Sequence, residues 1–142
     1  MLRVKHLLAA KDRTVWSIEP EDPVLEAIQL MADKHIGALP VVRGDELIGI
    51  VSERDYARKV ILMGRSSSDT PVWQIMSSPV TTVTPDEAVH RCMEIVTERR
   101  IRHLPVVEQR KMIGIISIGD LVKAVMEEQR ETIDQLERYI AG

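Results

Sequence analysis

Two short strings hold the residues best suited to chemistry, Gly49-Ile50-Val51-Ser52-Glu53-Arg54-Asp55 and Gly114-Ile115-Ile116-Ser117-Ile118-Gly119-Asp120. Each reads as the end of an apolar strand, a hydroxyl residue at the turn, and a carboxylate three residues into a new helix. A serine at a helix start lies beside unpaired backbone N–H groups and the positive end of the helix dipole, where phosphate is favoured. An aspartate one turn along faces the same way and can accept hydrogen bonds from the paired hydroxyls of a ribose. A single Ser-x-x-Asp before an apolar run is ordinarily a helix cap with its first turn. Two copies in register ask for more than a cap.

The register belongs to an internal repeat. A shift of 65 residues, which lays Asp120 on Asp55 and Ser117 on Ser52, also lays Ile101-Arg102-His103-Leu104-Pro105-Val106-Val107 on Ile36-Gly37-Ala38-Leu39-Pro40-Val41-Val42. The same shift pairs Pro20 with Pro85 and Val24 with Val89. The chain is a tandem duplication of one supersecondary unit.

The elements that must position the two strings follow from periodicity. Val4 to Lys11 reads as a short helix, with Val72 to Met76 as its counterpart before the second copy. Thr14 to Ile18 and Val80 to Val83 have the β-branched and aromatic content of short strands. Val24, Ala27, Ile28, Met31 and His35 lie on one helical face, as do Val89, Cys92, Met93 and Val96. Asp22 with Pro23 reads as a cap and first position, and Thr84-Pro85-Asp86-Glu87 has capping-box spacing. Ala38 to Arg43 and Glu46 to Ser52 form a hairpin about Gly44-Asp45, repeated about the turn from Glu108 to Lys111. Pro40 and Pro105 inside the first strand of each hairpin call for an edge or an irregular start.

Composition sets the outer bounds. The 142 residues suit one compact unit in which the halves share a core, since either half alone is near the lower limit for burying one. There is no Phe, so the core falls to Ile, Leu, Val and the seven Met. A net charge of −3 and a pI near 5.8 give no basic excess for nucleic acid. The one cysteine, Cys92, excludes an intrachain disulfide and a multi-cysteine metal site, and its place on a helical apolar face makes it a buried small residue. No apolar run approaches the roughly 20 residues of a membrane span, and no signal peptide is visible, so a cytoplasmic location is expected. No activated nucleophile or paired acid and base is evident, which argues against an enzyme.

With strand, helix, strand, strand, helix used twice, the chain resembles a tandem cystathionine-β-synthase (CBS) domain pair, or Bateman module, of the small stand-alone bacterial type. The resemblance rests on Met31, the Leu-Pro-Val-Val strings, both Gly-x-x-Ser-x-x-Asp copies, Ile75-Met76 and Ser52-Glu53-Arg54-Asp55-Tyr56, and it spans about Val4 to Met126. It implies an α+β fold, an α/β sandwich whose two repeats pack with pseudo-two-fold symmetry. The ranges expected are 1–66 for the first repeat with its N-terminal helix, 67–71 for a linker, 72–127 for the second repeat and 128–142 for a helical extension.

The resemblance also implies a regulatory module whose clefts take an adenosine ligand, AMP, ADP, ATP, NAD(H) or S-adenosylmethionine, with Mg²⁺ only beside a polyphosphate. Carried over residue by residue, one cleft would use Ser52, Arg54, Asp55, Trp16, Ser17, Ile36, Gly37 and Ala38, with Pro40 in the wall. The other would use Ser117, Asp120, Thr81, Thr82, Arg102 and His103, with Pro105, though the sequence leaves open which cleft Arg102 and His103 serve. The structural alternatives stand beside these roles: Trp16 as core, His103 as a strand histidine, and Arg99, Arg100 and Arg102 as cations at a helix C-terminus. Only the first copy has a guanidinium, Arg54, next to its serine, so phosphate-dependent binding is expected to be tighter there.

Met126, Gln129, Ile133, Leu136 and Ile140, spaced 3, 4, 3 and 4, form a heptad-like stripe on the final helix, which is expected to pack back on its own domain, the commoner fate, or against another subunit. The family pattern implies a homodimer and a separate effector protein that reads the bound state. The alternative is a dimerisation scaffold with empty clefts.

Overall fold

The computed structural model describes residues 2–11 and 14–141; Met1, Asp12, Arg13 and Gly142, which fall within the ranges assigned above, lie outside it. Each repeat is built on one hairpin. Strand β1 (Ala38–Arg43) pairs antiparallel with β2 (Glu46–Ser52), and β3 (His103–Glu108) with β4 (Lys111–Ser117). The two ladders match step for step, Ala38 opposite Ser52 and His103 opposite Ser117, with a bulge after Val41 in one and after Val106 in the other. The first turn uses Gly44 at φ 62, whereas the second places Gln109 and Arg110 at φ 51 and 66. A two-residue hairpin needs positive φ, and side chains there cost on the order of 1 kcal/mol each.

The strands expected at Thr14–Ile18 and Val80–Val83 shrink to single parallel bridges, Ile18 to Val41 and Val83 to Val106. Proline explains this. The Ile18 N–H donates to the Pro40 carbonyl at 3.1 Å and the Val42 N–H to the Ile18 carbonyl at 2.9 Å; one further step would require an N–H from Pro40. Pro105 stops the second copy in the same way, where the Val83 N–H donates to the Pro105 carbonyl at 3.1 Å.

Helices α2 (Val24–Lys34) and α4 (Val89–Arg99) back the hairpins and close on left-handed residues, His35 and Arg100. His35 therefore ends its helix instead of extending the apolar face. The expected caps are also displaced. The residues before the helices are Pro23 and Ala88, with no side-chain cap, and Asp22 Oδ2 accepts from the Glu19 N–H at 3.1 Å. Thr84 takes part in a turn through its carbonyl, which accepts from the Glu87 N–H at 3.1 Å.

The core lies in two clusters, and their membership crosses the sequence order. Helix α1 (Val4–Ala9) buries Val4, Leu7 and Leu8 with Val89, Cys92, Leu104, Ile116 and Leu121 of the second repeat. A 3₁₀ turn, Val72–Gln74, and the residue after it bury Val72 and Ile75 with Val24, Met31, Leu39, Val51 and Val60 of the first. Each leading segment thus packs in the other repeat. The glycines of the paired strings make room for this. A Cβ on Gly49 would stand 2.5 Å from Met76 Sδ and 3.1 Å from the Ser77 carbonyl, and one on Gly114 2.7 Å from Leu8 Cδ2.

After Ser52 the chain makes one α turn, α3 (Glu53–Tyr56), and a π turn, Ala57–Ile61. After Ser117 it runs as a single helix, α5 (Ile118–Ala141). Gly49→Ala is expected to destabilise the fold by about 1–3 kcal/mol through overpacking. Gly37→Ala, whose Cβ would meet only His103 Cε1 at 3.8 Å, should change stability by a few tenths, and thermal unfolding of both variants checks the difference.

Candidate nucleotide site

Both Ser-x-x-Asp strings are working helix caps. The Ser52 N–H and hydroxyl donate to Asp55 Oδ2 at 2.9 and 3.0 Å, and the Asp55 N–H returns a bond to Ser52 Oγ at 3.1 Å. In the second copy the Ser117 N–H donates to Asp120 Oδ2 at 2.8 Å and the Asp120 N–H to Ser117 Oγ at 3.1 Å. The first N–H of each helix is also taken: Glu53 donates to the Gly37 carbonyl at 3.1 Å and Ile118 to the Arg102 carbonyl at 2.9 Å. Few helix N–H donors are left for an anion, and α3 is too short for much of a dipole. Attraction for phosphate has to come from side chains.

A cavity of about 410 Å³ supplies them. Its floor is the first-copy string, Ser52, Glu53, Arg54 and Asp55, with Gly37, Ala38 and Ile50. Its far wall is the chain entering and leaving α4: Ser77, Pro79, Val80 and Thr81 on one side, and Arg100, Ile101, Arg102 and His103 on the other. The wall is drawn in by a backbone pair, the Ile50 N–H to the Ser77 carbonyl at 3.1 Å and the Ser77 N–H to the Ile50 carbonyl at 2.8 Å.

This arrangement moves Thr81 from the Asp120 cleft to the Asp55 cavity. Arg102 and His103, whose cleft the sequence left open, line the Asp55 cavity too, and the His103 imidazole also feels the Asp120 charge. Trp16, Ser17 and Ile36 do not line the cavity, and neither do Pro40, Thr82 or Pro105. Trp16 is 40% exposed, with the Lys34 ammonium 4.1 Å from its ring centroid, which is neither a core position nor an adenine wall of this cavity. Pro40 and Pro105 are buried in their strands and Thr82 is exposed. Ile50, Glu53, Ser77, Pro79, Val80 and Ile101 were missed as site residues, and Arg100, open between a phosphate role and a helix-end cation, lines the cavity. Arg100 is placed by its left-handed backbone after α4, and Ser77, Pro79 and Val80 lie in a connection with no motif.

The charges are uneven. Arg54, Arg100 and Arg102 line the cavity, and among the described residues none of them enters an ion pair. Burial, helped by Arg102, pushes the His103 imidazole below its ordinary 6.5 against the pull of Asp120, so the ring is neutral at pH 7 and the arginines carry the positive charge. Asp55 Oδ1 is 3.2 Å from the Lys59 ammonium, which also donates to the Ile75 carbonyl at 2.9 Å.

Asp120 meets a different cation. The Lys11 ammonium, reaching from just beyond α1, donates to Asp120 Oδ2 at 2.8 Å and to the Ile115 carbonyl at 3.0 Å. Burial would raise the Asp120 carboxyl, but the Lys11 hydrogen bond, the Ser117 backbone N–H and the Lys11 charge outweigh it and hold the group below its ordinary 3.8. Each aspartate is thus paired with a lysine of its own chain, Asp55 with Lys59 and Asp120 with Lys11, and each lines a cavity, of about 410 Å³ at Asp55 and about 300 Å³ at Asp120; three arginines line only the first.

The CBS domain family matches residues 5–61 and 72–127, once for each repeat. The chain belongs to the CBS-domain family. The mitochondrial CBS domain-containing protein CBSX3 of Arabidopsis thaliana is 46% identical over 127 residues, covering 86% of this chain and 62% of that relative, so the chain spans somewhat under two thirds of its length. The structure of a protein with CBS domains from Burkholderia ambifaria superposes with a TM-score of 0.87 at 51% identity, over 90% of this chain and 96% of that one. A hexameric CBS-CP12 protein from bloom-forming cyanobacteria gives 0.77 at 29% identity, over 86% and 70%. The fold is the α+β tandem of that family. CBS pairs are generally regulatory and often bind nucleotides. Among the described residues no helix is long and apolar enough to cross a membrane, and no cluster of His, Cys, Asp and Glu could hold a metal ion.

Cys92 is buried and its thiol is pushed up to about 11, first by burial and then by Glu87, which leaves it an inert core residue. The Lys11–Asp120 pair gives a pH test. Because the folded carboxyl is depressed, its contribution to stability is complete above the ordinary 3.8 and is lost as pH falls through the folded value. Lys11→Met should lower stability at pH 7 by about 1 kcal/mol, discounted for partial exposure. The deficit should close in acid, as followed by urea unfolding at both pH values.

Proposed function

We propose that the chain is a cytoplasmic nucleotide sensor that binds one adenosine nucleotide per subunit in the Asp55 cavity and signals to a separate effector protein. The observation that carries this reading is the meeting of Asp55, Thr81 and three guanidinium groups that form no ion pair among the described residues around a space of about 410 Å³. That volume lies within the roughly 300–1,000 Å³ of small-ligand sites. Asp55 would hold the ribose hydroxyls, Arg54, Arg100 and Arg102 the phosphate, and the apolar Ile50, Val80 and Ile101 the base. A charged nucleotide such as AMP, ADP or ATP suits three guanidiniums better than S-adenosylmethionine, and NAD(H) would need the open side of the cavity for its second nucleoside. Mg²⁺ would enter only with a polyphosphate. Self-association, as a homodimer, belongs to the same proposal and draws support from the hexameric cyanobacterial relative.

A scaffold reading, with empty clefts, draws on a different observation. The Ser52–Asp55 box is complete in itself, and no described buried side-chain polar atom lacks a partner. Ligand-dependent unfolding separates the two readings. Binding to the folded state alone stabilises by RT ln(1 + [L]/Kd), about 2.7 kcal/mol at a hundredfold excess, whereas an empty scaffold gains nothing.

Titration calorimetry with AMP should give one site per chain. Arg54→Ala or Arg102→Ala should weaken AMP by about tenfold or more while leaving adenosine nearly unchanged, since a charge-assisted hydrogen bond contributes about 1.5–3 kcal/mol. Asp55→Ala should weaken both ligands and Asp120→Ala neither. Equal losses for the two aspartates would sink the one-site assignment.

A further inference from the structure

The second half of α5 stands away from the rest of the molecule. Every described residue from Gln129 to Ala141 is exposed, and the last hydrogen bond tying the helix to another element joins His90 Nε2 and Glu128 Oε1 at 3.3 Å. The free length is about 20 Å at 1.5 Å per residue. On it Ile133, Leu136 and Ile140 are 54%, 56% and 83% exposed. A helical stretch this short with its apolar stripe in water gains little from its own backbone, because helices in proteins are held chiefly by packing of that stripe.

We propose that this stripe packs against the same stripe of a second copy, with the two helices antiparallel about a two-fold axis. The proposal rests on the self-association reading above and adds the surface and its direction. Placing Ile133 and Ile140 at heptad position a, and Gln129 and Leu136 at d, puts Arg130 and Glu137 at e. In an antiparallel pair each a residue faces a d residue, and e flanks e. With Ile133 against Leu136 of the partner subunit, Ile140 covers Gln129 of the partner subunit at the end of the seam. Arg130 then faces Glu137 of the partner subunit, and the two-fold axis makes that ion pair twice. Among the described residues neither Arg130 nor Glu137 has an ion pair in its own chain. A parallel pair would instead stack Gln129 on itself inside the seam and set Val125 by Arg130 and Thr132 by Glu137, with no opposite charges. Charge complementarity selects the antiparallel arrangement and a copy of this chain as occupant.

Sedimentation velocity on the full chain, across micromolar to hundred-micromolar concentrations, tests the arrangement. Arg130→Glu and Glu137→Arg each turn two attractions into repulsions and should raise the dissociation constant about tenfold. The double variant restores complementarity and should return close to the wild-type value. Far-UV circular dichroism checks that all three keep the helix, and Leu136→Asp should dissociate the assembly without changing the charge pair. A wild-type chain that stays monomeric overturns self-association itself. An assembly that neither single variant weakens, or that the double variant fails to restore, overturns the helix pairing and leaves self-association standing on another surface.

Discussion

The exchange of leading segments between the repeats is the constraint on which the rest of the molecule depends. Three backbone hydrogen bonds fix each exchange. The Val72 N–H donates to the Asp22 carbonyl at 2.9 Å, the Trp73 N–H to that of Pro20 at 3.0 Å, and the Val24 N–H to that of Thr70 at 2.8 Å. On the other side the Val4 N–H donates to Glu87 at 2.9 Å, Lys5 to Pro85 at 2.9 Å and Val89 to Leu2 at 3.0 Å. Val72 and Ile75 fill one core, and Val4, Leu7 and Leu8 the other, so neither half can complete its own. Fragments of this size already bury too little surface to be robust, and here each also lacks part of its core.

The composite cavity is a consequence of the exchange. Having served the first core, the chain must travel from Ile75 to Val83 to begin the second, and the Ile50–Ser77 backbone pair pins the start of that path against β2. Pro105 prevents the stretch before Val83 from zipping further onto β3, because it has no N–H to offer. The result is an irregular connection held at both ends, passing over the helix start that carries Asp55. Pro105, which looks like a blemish in a strand, is what keeps that connection off the sheet.

Most of the fold could be read from the amino-acid sequence because it is written twice. The hairpins, the α2 and α4 faces and the Ser-x-x-Asp caps all recur at a spacing of 65, and each copy checks the other. The leading segments recur at a different spacing, Val72 following Val4 by 68, so an ungapped shift leaves them out of register and conceals which core each one enters. The site was legible in its residue types but not in its partition. Thr81, Arg102 and His103 stand out as polar residues at repeat positions, yet only the crossing of the chain decides that they face Asp55. Arg100 could be read only as an open choice, because its place at the cavity depends on a left-handed φ of 53 and the same cation at a helix end is stabilised there without any ligand.

The two copies have diverged under one packing scheme, and the divergence follows charge. Glu53 and Arg54 of the first copy become Ile118 and Gly119 in the second, where Ile118 packs against the core and begins a helix of 24 residues. Both aspartates keep their caps, and each holds a lysine, Lys59 in the first copy and Lys11 in the second. A ribose reaching either aspartate would meet an ammonium tethered to the same chain. Such a group acts at an effective concentration around the millimolar range or above, without the translational entropy a free ligand loses. His103 lines the Asp55 cavity, and its imidazole also feels the charges of Asp120 and Lys11. An anion entering that cavity would favour the protonated ring and bring a new positive charge toward Asp120 and Lys11.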